Sequence, residues 1–286
     1  MQNRLNNKEI WINPLGGLGD TLMVSGILKI VVEDNPSRKF NLIRRTKYLS
    51  ILKGHPAIST IGYPSKDANI VGTDYWSKEE LGADNQRAFQ ILARIFGLKT
   101  PVDENLYLHG ELEPDPMLDS IIPWQRKNII IAPFSDSPRK VMHQRKWHNL
   151  VDRLKSINDV LVMQVGKIYQ LHIKNTYSLI GLTTPRQLIS LIKKCDMVIT
   201  SDNFIMHAAH LVGTPAVVLW GPTEPFVYGY KEQRHLKFSQ ICKLAMECIG
   251  PKFSSNYAQP CHFGEAQHCM NLIEPDDIYS AVREII

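Results

Sequence analysis

No uninterrupted apolar run in these 286 residues approaches the ~18 that a membrane-crossing helix needs. The opening MQNRLNNKEI has no apolar core, so no signal peptide is expected there and the sequence predicts a cytoplasmic protein. Closely spaced cysteine pairs are missing too. Cys242, Cys248, Cys261 and Cys269 stand as C-x5-C-x12-C-x7-C, looser than the C-x2–4-C of a zinc ribbon. In a reducing compartment disulfides are not expected, which leaves buried thiols or a structural metal site, with His262 and His268 nearby. No G-x-G-x-x-G follows the first strand-like segment, and no acid stands ~20 residues on to hold a dinucleotide ribose. A nicotinamide dehydrogenase is therefore disfavoured. Acids are also absent between Pro36 and Lys53, where Arg38, Lys39, Arg44, Arg45, Lys47 and Lys53 fall together. With a net charge of only +5 this basicity is local. It suits an anionic lipid or phosphorylated glycan, or is simply a solvated face; no nucleic-acid partner is expected.

What is present is an alternation of short apolar runs and amphipathic segments. Glu9 to Asn13 reads as a strand running into the loop Pro14-Leu15-Gly16-Gly17-Leu18-Gly19-Asp20, and Thr21 to Val32 as a helix. Phe40 to Ile43 is a second strand, with shorter extended pieces near Ile58–Ile61, Ile70–Thr73 and Leu106–Leu108. Asp84 to Phe96 reads as a helix capped by Asp84 and ended by Gly97. Pro114, Pro116 and Pro123 mark Glu111–Gln125 as a linker. Beyond it, Asn128–Ala132 and Val160–Val165 are strands, Lys146–Ile157 is a helix, and Thr184-Pro185 opens another to Lys194. The pattern predicts an α/β protein with two parallel-sheet halves, residues 1–122 and 123–286.

The densest polar chemistry lies in MVITSDNFIMHAAHLVGTPAVVLWGPTEP, Met197 to Pro225. It reads as strand, turn, helix, strand, turn, with Asp202 or Ser201 as the helix cap. Ligands in such sheets collect beyond the carboxyl ends of the strands, where Asp202, Asn203 and His207 lie at one end and Thr223 and Glu224 at the next. The helix N-terminus there suits a phosphate. Taken singly, Asp202 is a cap and His207 a helix histidine; taken with Gly-Pro-Thr-Glu-Pro, they read as a site.

D-N-F-I-M-H-A-A-H-L-V-G-T-P followed by W-G-P-T-E-P resembles the D-[ST]-G-x-x-H…G-T-P…G-P-T-[DE]-P signature of the ADP-heptose:lipopolysaccharide heptosyltransferase family, glycosyltransferase family 9. The resemblance extends over Ile12 to about Val32 and from Ile129 to the end. It implies a GT-B fold, two Rossmann-like domains facing a cleft, with the last helix, Pro275–Ile286, crossing back to the first. The first domain would take the acceptor and the second the donor. Transfer of a heptose from an ADP-linked donor to a cell-surface glycan, with inversion and no required metal, is the activity implied. The acceptor would be an anionic glycan or glycolipid such as lipopolysaccharide core, reached at the inner membrane surface, or else a protein; a non-catalytic nucleotide- or glycan-binding module is the alternative from another class.

By the same resemblance Asp20 would be the general base, and Gly17 and Gly19 would let the ligand approach the backbone. Ser135 and Lys140 keep the family's hydroxyl-to-lysine spacing and would bind the donor with Asp202, Asn203 and His207; Thr223 and Glu224 would line the site. Two departures stand out. Asn203-Phe204 replaces the family's Ser/Thr-Gly, and Lys167-Ile168-Tyr169-Gln170 lacks the acid that often holds the donor ribose.

Overall fold

The computed structural model describes residues 9–45, 48–78, 86–238, 248, 261 and 269–286. The chain divides into two compact units, Met1–Glu111 and Leu112–Ile286. Among the described residues no helix is long and apolar enough to cross a membrane.

The first unit is built on a four-stranded parallel sheet. Its strands β1 (Ile10–Asn13), β2 (Phe40–Ile43), β3 (Ile58–Gly62) and β4 (Asn69–Gly72) lie in the order β3-β2-β1-β4. Helix α1 (Leu18–Asp34) follows β1 and starts earlier than expected, with Leu22, Met23, Ile27, Leu28 and Val31 buried. The short α2 (Leu49–Leu52) precedes β3. Helix α3 begins at Ala88 and runs to Ile95; Gly97 follows it at φ +76°, the left-handed conformation that ends helices. The expected cap Asp84 lies outside the described residues. Leu106–Leu108 is not a strand: its backbone runs over Gly26 of α1, so close that a Cβ on Gly26 would meet the Asn105 carbonyl at 2.3 Å.

The second unit holds six parallel strands in the order β10-β9-β8-β5-β6-β7. They are β5 (Lys127–Ala132), β6 (Val160–Gly166), β7 (Tyr177–Ile180), β8 (Met197–Ser201), β9 (Ala216–Trp220) and β10 (Arg234–Lys237). Strands β8 and β9 are buried along their whole length, as befits central strands covered on both faces. Helix α4 (Pro116–Ile121) leads into β5, and α5 (Gln144–Leu154), α6 (Pro185–Lys194), α7 (Phe204–Val212) and α8 (Pro225–Tyr228) lie between later strands. Thr184 caps α6 by accepting from the Gln187 N–H, with Pro185 at the first turn. The expected linker is partly ordered: Asp115 caps α4, and ion pairs Glu113–Arg186 and Asp119–Lys194 tie it to α6 of its own unit.

The last helix, α9 (Pro275–Arg283), packs against its own unit. Its apolar stripe Ile278, Ala281 and Val282 lies in the second unit's core with Trp147, Leu150, Val151 and Leu154 of α5. Lys146 fastens the approach by donating to the carbonyls of Asn271 (2.6 Å) and Ile273 (3.0 Å) and pairing with Glu274.

One buried histidine makes the first unit sensitive to acid. His55, 1% exposed, accepts from the Ala57 N–H at Nδ1 (3.1 Å), so Nε2 carries the proton and donates to the Ser25 carbonyl (3.0 Å). Burial pushes its pKa down from 6.5 to about 4. Above 6.5 the folded and unfolded chains are both neutral at this ring; between 6.5 and about 4 only the unfolded chain binds the proton. Stability contributed here is therefore complete at pH 7 and is lost as pH falls through that window. Denaturation midpoints measured from pH 7 to pH ~4.5 should fall, and less steeply in His55→Gln. An identical slope in the variant would remove His55 from the account.

Candidate functional site

Three loops leave the carboxyl ends of the adjacent strands β5, β8 and β9, and their side chains meet. Lys140 ends a 3-10 turn, Pro138–Lys140, after β5; Asp202 follows β8; Thr223 follows β9. The Lys140 ammonium donates to Asp202 Oδ2 at 2.7 Å, and the Thr223 hydroxyl donates to the same oxygen at 2.6 Å. Asp202 is 6%, Lys140 8% and Thr223 2% exposed. Burial alone would raise the Asp202 pKa, but the Lys140 charge and the two hydrogen bonds overcome it and hold the carboxyl below its ordinary value. Close approach of the Lys140 turn depends on Gly221: a Cβ there would stand 2.8 Å from the Arg139 carbonyl. Ser135 sits at the rim, its hydroxyl 3.5 Å from the Asp202 carbonyl.

The cap of α7 corrects the sequence reading. Asn203, not Asp202 or Ser201, accepts from the Ile205 N–H (2.8 Å), because both of those side chains are drawn into the interior. Asn203 is itself held by the Thr200 hydroxyl (2.9 Å) and donates to the Phe134 carbonyl (3.0 Å), which binds the β5 loop to the β8 loop. Phe204 is the first helical residue and is half-buried. His207, one turn on and 6% exposed, meets the Tyr230 hydroxyl through Nδ1 at 2.7 Å. Burial lowers its pKa to about 4, partly opposed by Asp202, so it is neutral at pH 7. His210 stacks on the Tyr230 ring at 3.7 Å between centroids.

Glu224 stands at the N-terminus of α8 and pairs with Lys237 of β10. The loop after β6 presents Lys167, paired with Asp136 of the β5 loop, and exposes Ile168 and Tyr169.

In the first unit, Asp20 lies in the first turn of α1, where one carboxylate oxygen accepts from the Gly17 N–H (2.6 Å) and the other from the Tyr75 hydroxyl (2.5 Å). Gly17 is the N-cap and Gly19 is buried inside the helix. The glycine that the conformation requires is their neighbour Gly16, at φ +92°, where a Cβ would meet the Asp20 carboxylate at 2.3 Å. Tyr75 and Tyr230 escaped the sequence reading because each is far along the chain from its partner and carries no motif.

Of the cysteine cluster, Cys248 and Cys269 are buried and Cys261 is partly exposed; Cys242 lies outside the described residues. Among the described residues no group of three His, Cys, Asp or Glu could hold a metal ion.

The sequence model of Glycosyltransferase family 9 (heptosyltransferase) matches residues 78–248, more than half of the chain. No curated protein matches it. Solved structures that resemble it include the glycosyl transferase family 9 protein of Veillonella parvula DSM 2008, at 15% identity and TM-score 0.68 with 97% of each chain covered. The E. coli ADP-heptose lps heptosyltransferase II is similar at 14% identity and TM-score 0.66, covering 97% of this chain and 98% of that one. The iron-containing dodecameric glycosyltransferase TibC from enterotoxigenic E. coli H10407 matches at 15% identity and TM-score 0.74, with 98% of this chain and 77% of that chain covered. The shared fold is GT-B, two parallel-sheet α/β domains.

The buried ion pair has a measurable consequence. Lys140→Met or Asp202→Leu alone leaves an uncompensated buried charge and should cost about 3–5 kcal/mol of unfolding free energy. The double variant should cost far less than the sum, since a well-packed apolar pair is often neutral. Additive losses in a double-mutant cycle would mean that the two groups do not depend on each other.

Proposed function

We propose a reaction for this chain, which belongs to glycosyltransferase family 9 (heptosyltransferase) and is a nucleotide-sugar-dependent glycosyltransferase: it moves a heptose from an ADP-linked donor to an anionic cell-surface glycan, with inversion. The observation that carries the reading is the buried Lys140–Asp202–Thr223 cluster at the carboxyl ends of three adjacent parallel strands, beside the N-terminus of α7. ADP-heptose is the donor named for a relative of the same fold.

In this reading the donor diphosphate lies over the α7 N-terminus. Lys140 donates to Asp202 and brings its ammonium to the carboxyl ends of the strands. Asp202 fixes where that ammonium sits, Asn203 keeps the helix end in place, Ser135 offers a hydrogen bond at the rim, and the neutral His207 lies deeper, against Tyr230. The acceptor oxygen attacks the anomeric carbon as Asp20 takes its proton. The bond from that carbon to the diphosphate oxygen breaks, and the electron pair leaves on the phosphate. Preorganised positive groups stabilise that growing charge without a metal. The acceptor would be lipopolysaccharide core or a similar glycan at the inner membrane surface, with the basic residues between Arg38 and Lys53 meeting its anionic groups.

Phe204, where the family pattern has glycine, favours a second reading: a binding module that holds nucleotide without transfer. Two measurements separate the readings. ADP should bind the wild-type protein much more tightly than adenosine, and a thermal-shift screen should show it, since ligand at 100 times its Kd stabilises by ~2.7 kcal/mol. Equal affinities would end the phosphate assignment. Asp20→Asn keeps one of the two accepted hydrogen bonds and removes the basic carboxylate. Transfer from ADP-heptose to deacylated lipopolysaccharide core should then fall on the order of 10²–10⁴-fold, with ADP affinity unchanged. Full-rate transfer by the variant would reject Asp20 as base; no transfer by either protein would favour the module.

A further inference from the structure

Asp20 does not stand alone. Strands β1 and β4 are neighbours in the first sheet, with Asn13 opposite Gly72, so the loops that leave their carboxyl ends run side by side. The two loops are knit together: the Leu15 N–H donates to the buried Thr73 hydroxyl at 2.8 Å, and Tyr75 opens a 3-10 turn, Tyr75–Ser77, just beyond. From there the Tyr75 hydroxyl reaches Asp20 Oδ1 at 2.5 Å, across 55 positions of sequence. Tyr75 is 4% exposed and packs edge-on against Trp76 at 5.1 Å between ring centroids. Asp20 Oδ2 is held at the same time by the Gly17 N–H, and the carboxylate lies directly over Gly16, where no side chain would fit.

From this arrangement we propose that Tyr75 is a positioning residue for the sugar-transfer reaction, holding the Asp20 carboxylate ionised and in one orientation. The inference rests on the reading of Asp20 as the general base. A hydrogen bond donated to the charged form of a carboxylate favours that form. A phenol hydroxyl aimed at an anionic oxygen is a charge-assisted bond, about twice as strong as a neutral one. A tyrosine that served packing alone would have no reason to set the protonation of its partner.

The test is Tyr75→Phe in the full chain, which keeps the ring and removes the hydroxyl. Asp20 is followed directly by carboxyl ¹³C NMR, its resonance assigned by its loss in Asp20→Asn. The midpoint of its titration should move to higher pH in Tyr75→Phe. The acid limb of the pH profile for transfer from ADP-heptose to deacylated lipopolysaccharide core should move with it, and kcat should fall about tenfold or more while ADP affinity holds. An unmoved NMR midpoint overturns the proposal. So does a midpoint that moves while the rate profile does not, because the pair would then be structural only. Should the phenylalanine variant fail to fold, 3-fluorotyrosine at position 75, a stronger donor, decides: midpoint and acid limb should both move to lower pH, and no movement rejects the idea. Full-rate transfer by Asp20→Asn is a different failure, that of the base assignment itself.

Discussion

The ion pair between Lys140 and Asp202 is the interaction on which the second unit's site depends. Two charges removed from water cost several kcal/mol each unless they meet with good geometry and further hydrogen bonds. Here they meet at 2.7 Å, and Thr223 supplies one of the further bonds. That requirement forces three loops into fixed positions. The turn ending in Lys140 must lie against Gly221, and the β8 chain must turn sharply enough to hand the capping of α7 to Asn203. The helix end and the cationic group are thereby placed together, although the lysine charge is largely matched by its partner.

In the first unit a backbone N–H and a phenol hold the Asp20 carboxylate. Both partners come from loops at the carboxyl ends of neighbouring parallel strands, as do those of Asp202. Parallel strands place the loops that follow them on one edge of the sheet, and polar side chains in those loops can pair without entering the core. His207 shows the cost of going further in. It is neutral at pH 7 because burial outweighs the pull of Asp202, and Tyr230 gives its ring a polar partner.

Much of the local structure was legible. Thr184-Pro185 announced α6 through a capping box and a first-turn proline, and the run Met197–Ser201 announced a buried strand. Asp202, His207 and Thr223 were singled out from their place at strand ends, and the structure brings Asp202 and Thr223 into contact. Other readings failed for identifiable reasons. Asp202 and Asn203 are both good helix caps, and propensity does not say which one the interior will claim. The stripe on the last helix was visible, and the packing shows that α5 lies in the same core cluster. Leu106–Leu108 has strand-like residues without a neighbouring strand, so it lies as an extended segment over Gly26.

By itself the amino-acid sequence determined the alternation of strands and helices, hence two parallel sheets, and the family signature between Asp202 and Pro225. Those properties are local: a period of two or 3.6 residues, a cap, a proline, a spacing within one motif. The tertiary structure alone decided which groups are partners. Strand order β9-β8-β5 makes neighbours of Thr223, Asp202 and Lys140, and the pairing of β1 with β4 makes neighbours of Asp20 and Tyr75. Strand order is settled by which faces can be buried together, a property of the assembled sheet that no single segment carries.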